Sequence, residues 1–232
     1  MTGLRRYTIA VVLAGAARIA MLAQNATTPD TGLDHVIVMF NPLDAAIDEF
    51  ERLTGVRPVR GGSPAPGIEN ALVSLGDGRY LEILSPAPPA DGTVSRLPVS
   101  TTFRPAGWAI HSPDLAGLVN RLRTPDRKTS DPRPASRRRP DGTLLSWSTS
   151  NIIGEGLQLA PFFIHWDAGG AHPSVTSPTG CLLKAFVLTD PAPDELATLI
   201  RQAGVDVPVQ KGETRNVAIT LTCPRGEITF RR

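Results

Sequence analysis

From Gly32 onward apolar and polar positions fall into short blocks whose period changes abruptly. "LDHVIVMF" reads as a strand, because its β-branched and apolar residues run or alternate over eight positions. "LDAAIDEFERLTG" then places Leu43, Ala46, Ile47, Phe50 and Leu53 at helical spacing, and Gly55 closes the stripe. "VRPVR", "NALVSLG" and "RYLEILSP" return to strand-like patterning, the last two separated by the turn signal Gly76-Asp77-Gly78. The order from Gly32 to Pro86 is β-α-β-β-β.

The same order recurs. "CLLKAFVLTDPAPDELATLIRQAGVDVPV" gives strand, helix and strand, with Leu196, Leu199 and Ile200 on the helix and Gly204 closing it. "NVAITLTCPRGEITFRR" adds a hairpin turning at Pro224-Arg225-Gly226. A middle copy is less regular: "GWAIHSPDLAGLVNRLR" is strand then helix, a basic proline-rich loop follows, and "TLLSWSTS" and "GLQLAPFFIHW" are strands. Ala87 to Pro105 and Asp167 to Pro178 read as linkers. The chain therefore divides into an N-terminal segment, 1–26, a two-module domain over 32–182 with modules at 32–86 and 107–166, and a further module over 182–232. Two units are needed to close one site.

Composition changes this picture at the N-terminus. The 232 residues are 41% hydrophobic, as in ordinary globular proteins. Arg5 and Arg6 precede an apolar run from Ile9 to Ala23, and no acidic residue appears before Asp30, which is the layout of a secretory signal peptide; a retained hydrophobic segment is the alternative. Cleavage would make the protein periplasmic or secreted; otherwise it is cytoplasmic. Loss of residues 1–23 leaves 21 Lys and Arg against 22 Asp and Glu, so the formal charge goes from +2 to −1. A near-neutral chain argues against nucleic acid as a partner, and nothing after the leader is expected to stay in a membrane. Eight Arg and Lys do cluster between Arg121 and Arg139, in a segment expected to be a solvated loop, with an anion site as the functional alternative. Cys181 and Cys223 lack metal-ligand spacing. They are expected as two small core residues, or as one disulfide if the protein is exported.

The chemistry concentrates on a few positions. His35 is the third residue of the opening strand, and Glu82 lies mid-way along "RYLEIL" between Leu81 and Ile83. A carboxylate on such a strand is unfavourable unless exposed, paired or cation-bound. Facing one another, the two side chains offer a nitrogen and an oxygen to one divalent metal. Asn70 is placed to hydrogen-bond a substrate carbonyl, and Arg139 to reach a carboxylate. Trp147, Phe162, Phe163 and Trp166 form either a pocket wall or core. Phosphate-cradling glycine loops, dinucleotide fingerprints, nucleophile elbows and His-Glu-x-x-His helices are absent.

"LDHVIV", "PLDAAIDEFERLTG", "ENALVSLGDGRYLEILSP", "RRRPDGTLLSW" and "APFFIHWD", in that order and spacing, resemble the glyoxalase-like domain proteins of the vicinal oxygen chelate superfamily. The resemblance covers roughly residues 32 to 182, more loosely the rest. It implies an α+β fold of repeated βαβββ modules, curled into a half-open mixed β-barrel with helices packed outside. It also implies a divalent metal (zinc, nickel, manganese or iron) held by His35, Glu82 and a third ligand. His165 is the third candidate; Gln158 and His172 are others, and His111 is not expected to take part. Asn70, Arg139, Trp147 and Trp166 would contact a small oxygen-rich substrate, and Glu82 would move a proton in a lyase, isomerase or dioxygenase reaction. The alternative is a non-catalytic small-molecule binding or resistance protein of the same fold. A homodimer is compatible with either.

Overall fold

The alternating block at Gly32 forms β1 (Gly32–Met39) and the helical stripe forms α1 (Leu43–Thr54); β2 (Val59–Ala65), β3 (Ile68–Gly76) and β4 (Arg79–Pro86) complete the first unit. In this computed structural model residues 31–87, 99–154 and 157–232 are described. The expected leader and residues 88–98 of the first linker lie outside them. α1 buries Leu43, Ala46, Ile47 and Phe50, and ends where Gly55 adopts a left-handed φ of 80° and its amide donates to the Glu51 carbonyl.

The middle unit runs β5 (Arg104–His111), α2 (Leu115–Leu122), β6 (Lys128–Thr129), β7 (Arg133–Arg138), β8 (Leu144–Ile153) and β9 (Phe162–Trp166), followed by the short α3 (Pro173–Thr176). α2 starts under an Asp114 carboxylate that accepts from the Gly117 amide at 2.8 Å. Two expectations need correction here. The basic proline-rich stretch is not all loop, because β7 pairs antiparallel with β8, setting Arg137 opposite Leu145. Its Pro134 is tolerated because β7 pairs with β8 alone and keeps an unpaired edge. The expected strand "GLQLAPFFIHW" shrinks to Phe162–Trp166, since Leu157 to Ala160 fold into a turn closed by the Ala160 amide on the Leu157 carbonyl.

The last unit is β10 (Leu182–Asp190), α4 (Pro193–Gln202), β11 (Val209–Lys211), β12 (Asn216–Cys223) and β13 (Gly226–Arg231). Strand order shows how the units combine. The first two share one nine-stranded sheet, β2-β3-β4-β1-β5-β9-β8-β6 with β7 on β8, and the third forms its own four-stranded sheet, β11-β10-β12-β13. β1 runs parallel to β4 and antiparallel to β5, so it sits at the seam between the units. The result is α+β, with the large mixed sheet curled into a half-open barrel.

One apolar core joins all three units. Phe103 packs on Phe50 and Phe230 with ring centroids 5.7 and 5.0 Å apart, and Trp108 meets Phe186 edge-on at 5.2 Å. Cys181 and Cys223 form a disulfide rather than remaining separate core thiols, because β10 and β12 pair with Leu182 opposite Thr222 and bring the adjoining cysteines together. Among the described residues no helix is long and apolar enough to cross a membrane.

Candidate functional site

The seam at β1 creates the site. Residues on a strand face opposite ways in turn, so Val36 and Val38 enter the core while His35 turns into the barrel interior. On β4, Leu81 and Ile83 likewise enter the core, and Tyr80 and Glu82 share the interior face with His35. β7, β8 and β9 close the other side. The cavity measures about 150 Å³ and is lined by His35, Glu82 and Arg137 among the rings of Tyr80, Trp147, Phe162 and Trp166.

His35 is fixed from several directions. Its ring stacks on Tyr80 at 4.5 Å and meets the edge of Phe162 at 5.3 Å. Its Nδ1 lies 2.6 Å from Asp34 Oδ1, so Nδ1–H donates to the carboxylate and Nε2 is left facing Glu82 Oε2 at 3.7 Å. The second Asp34 oxygen accepts from Trp166 Nε1 at 3.0 Å and from His172 Nε2 at 3.2 Å. The His172 tautomer follows from its other nitrogen, which accepts from the Ser174 amide and so carries no proton. A polar chain thus runs His172, Asp34, His35, Glu82.

Electrostatics agree with this chain. Burial alone would raise the Asp34 pKa, but the hydrogen bonds from His172 and His35, with their positive charge when protonated, hold the carboxyl well below the usual aspartate range. Burial pushes the Tyr80 phenol up, helped by the nearby Asp34 and Glu82 carboxylates, so it stays protonated. Burial also lowers the Arg137 pKa, partly offset by the attraction of Glu82.

Glu82 is held by Asn70, whose Nδ2 donates to Oε1 at 2.6 Å. Two buried polar atoms beside it have no hydrogen-bond partner: Asn70 Oδ1 and Arg137 Nη1. The Arg137 atom is the more telling, since an unsatisfied donor on a buried charged group costs more than one on a neutral group. Arg137 makes no ion pair among the described residues.

The expected site residues separate accordingly. His35, Glu82, Trp147, Trp166 and Phe162 meet at the cavity, and Phe163 belongs to the core. Asn70 stands behind Glu82 rather than lining the cavity. Arg139 lies outside and donates to the Ala171 carbonyl. His165 does not join His35 and Glu82. It is the odd-parity neighbour of Ile164 and Trp166 on β9, so it points to the other face, where Nδ1 lies 3.1 Å from the Ser112 carbonyl. Asp34, Tyr80 and Arg137 were not anticipated. The adjacent Asp34-His35 pair was a readable signal, but Arg137 was hidden in a run of three arginines expected to be solvated.

The donor set does not fit a catalytic divalent metal. Among the described residues no three His, Cys, Asp or Glu side chains are grouped to hold one. His35 and Glu82 supply two donors where such a site needs three, and the Arg137 guanidinium occupies the same small cavity with a positive charge of its own. What remains is a carboxylate and an imidazole opposite a fixed cation, walled by aromatic rings.

A family model described as a glyoxalase-like domain matches residues 33–204. Comparison with curated proteins returns no match. Among solved structures, a hypothetical protein from Staphylococcus aureus is similar over 87% of this chain and 85% of its own, at 15% identity and a TM-score of 0.59, which shows a shared fold. A methylmalonyl-CoA epimerase from Streptomyces coelicolor aligns over 59% of this chain and 97% of its own, at 16% identity and a TM-score of 0.43. A 4-hydroxymandelate synthase variant from the same organism covers 88% and 62%, at 15% identity and a TM-score of 0.44.

Proposed function

Because the chain belongs to the glyoxalase-like domain family, we propose that its cavity binds a small organic acid and moves a proton on it. The observation that carries this reading is the buried Arg137 on the cavity wall, whose Nη1 has no hydrogen-bond partner. A carboxylate or other oxyanion on Arg137 supplies the acceptor that Nη1 lacks, in a charge-assisted hydrogen bond. The aromatic walls fit the carbon skeleton.

Glu82 lies across from that anion with its Oε1 held by Asn70, leaving Oε2 toward His35. Its carboxylate accepts a proton from the carbon next to the substrate carboxylate, and negative charge then gathers on the carboxylate oxygens held by Arg137. Returning the proton to the same or a neighbouring carbon gives racemisation or isomerisation; loss of a leaving group from the β-carbon gives elimination. His35, fixed through Asp34, is a positioning residue that sets the environment of Glu82.

The test is nuclear magnetic resonance in deuterated water with a panel of small 2-hydroxy and 2-oxo acids. Binding with exchange of the proton beside the carboxylate, lost in Glu82→Gln, supports the reading. Binding without exchange makes the protein a carrier or resistance protein of the same fold. No binding that depends on Arg137 overturns it.

We further propose export. The leader-like residues 1–26 and the Cys181–Cys223 disulfide support it, since disulfides persist in oxidising compartments.

A further inference from the structure

A neutral imidazole carries its one proton on either of two nitrogens, so His35 can offer the cavity a hydrogen-bond donor or an acceptor. The choice is made outside the cavity, at Asp34. Three N–H groups converge on that buried carboxylate: Trp166 Nε1 at 3.0 Å and His172 Nε2 at 3.2 Å on Oδ2, and His35 Nδ1 at 2.6 Å on Oδ1. The indole nitrogen can only donate, and His172 Nε2 donates because its ring partner accepts from the Ser174 amide. An ionised carboxylate, which is an acceptor at every position, meets all three.

The consequence reaches the cavity. With its proton held on Nδ1, His35 turns the lone pair of Nε2 toward Glu82 Oε2, 3.7 Å away. That separation is too long for a hydrogen bond, so two acceptors face one gap with no hydrogen between them. Arg137, on the same cavity, supplies donors only.

We propose that Asp34 determines substrate specificity without touching the substrate: through the tautomer of His35 it makes the cavity select acids with a hydrogen-bond donor, a hydroxyl or an amino group, on the carbon beside the carboxylate, and reject 2-oxo acids. This inference rests on the reading above and narrows its substrate class. The ligand carboxylate rests on Arg137, the hydroxyl or amino hydrogen donates to His35 Nε2, and Glu82 Oε2 takes the proton of the same carbon. A keto oxygen in that place sets lone pair against lone pair, and its carbon bears no hydrogen for Glu82 to remove.

Asp34→Asn should reverse the choice. Its amide has one oxygen and one NH2 group, and the oxygen stays with the Trp166 and His172 donors. The NH2 then faces His35 Nδ1, which must accept, and the ring proton moves to Nε2. The cavity nitrogen becomes a donor.

Two measurements test this. Nitrogen-15 nuclear magnetic resonance of histidine-labelled protein reads the tautomer. Titration calorimetry reads the preference, with a short 2-hydroxy acid, its 2-amino and 2-oxo counterparts and the unsubstituted acid as probes. Wild type should carry the His35 proton on Nδ1 and bind the 2-hydroxy or the 2-amino acid about tenfold tighter than the unsubstituted acid, the worth of one net hydrogen bond. The 2-oxo acid should bind no tighter than the unsubstituted one, and the order of the hydroxy and amino acids identifies the donor. Asp34→Asn should move the proton to Nε2 and place the 2-oxo acid ahead of the 2-hydroxy acid. If Asp34 were only structural, the variant would weaken every probe alike and keep their order, which overturns the inference. So does a wild-type His35 protonated on Nε2 or on both nitrogens, or equal affinity for hydroxy and oxo acids; the proposed function then still stands. Loss of every probe's dependence on Arg137, read in Arg137→Gln, overturns both. If circular dichroism shows Asp34→Asn unfolded, His35→Phe, which keeps a ring against Tyr80 and has no acceptor, should abolish the advantage of the donor-bearing acids, and an advantage that survives overturns the inference.

Discussion

Asp34 and His35 are neighbours in sequence and partners in space, with Asp34 Oδ1 2.6 Å from His35 Nδ1 and both side chains 2% exposed. Adjacent residues on a regular strand face opposite ways. They meet here because the pairing of β1 with β5 is irregular between Leu33 and His35. Trp166, His172 and Glu82 each meet this pair directly.

Asp34 makes stability depend on acid. Its native pKa is depressed below the ordinary value of 3.8, so the unfolded chain takes up a proton first as pH falls. Its contribution is therefore complete above that ordinary value and is lost progressively from there down through the native pKa. Urea titrations at several pH values should show wild-type stability falling below about pH 4 more steeply than in Asp34→Asn. At neutral pH the variant should be about 3 kcal/mol less stable, since a buried charged network loses its centre. An equal slope in both proteins would remove Asp34 from this role.

Arg137 should show the opposite sign. Arg137→Met replaces a buried cation with an unsatisfied Nη1 by an apolar chain of similar length, and should leave stability unchanged or raise it by about 1 kcal/mol. Organic-acid binding should vanish at the same time. A large loss of stability would mean that the guanidinium has a structural partner.

Metal content tests the donor set directly. Protein purified without a histidine tag should hold well under one zinc, nickel, manganese or iron ion per chain by mass spectrometry, and Glu82→Ala should not change that. Near-stoichiometric metal that disappears in Glu82→Ala would restore the chelate chemistry that the family resemblance implies.

The disulfide closes a loop with a sequence separation of 42 between Cys181 and Cys223. Chain-entropy arguments for a loop of that size give about 4 kcal/mol. The Cys181→Ala, Cys223→Ala double variant should lose roughly that much in denaturant unfolding while keeping its ligand binding, because the bridge lies outside the cavity.

Local periodicity was enough to define β1, α1, β3, β4, α2, β10, α4 and the final hairpin. Strand and helix periods depend on neighbours within a few residues, and the repeated βαβββ order follows from them. His35 and Glu82 were legible for the same reason: each is a polar residue on an otherwise apolar strand, which requires a purpose. Pairing between distant strands was not legible. That units one and two share a sheet, that β7 forms on β8 and carries Arg137 inward, that His172 returns to Asp34 and that Cys181 reaches Cys223 all depend on register between segments far apart in sequence. His165 illustrates the limit: a one-residue difference in parity on β9 sends it to the opposite face from Trp166. The sequence by itself determined the elements and the two polar residues that break their pattern. Only the tertiary structure decided which charges meet, because convergence is a property of strand pairing and burial, and neither is written in any local stretch.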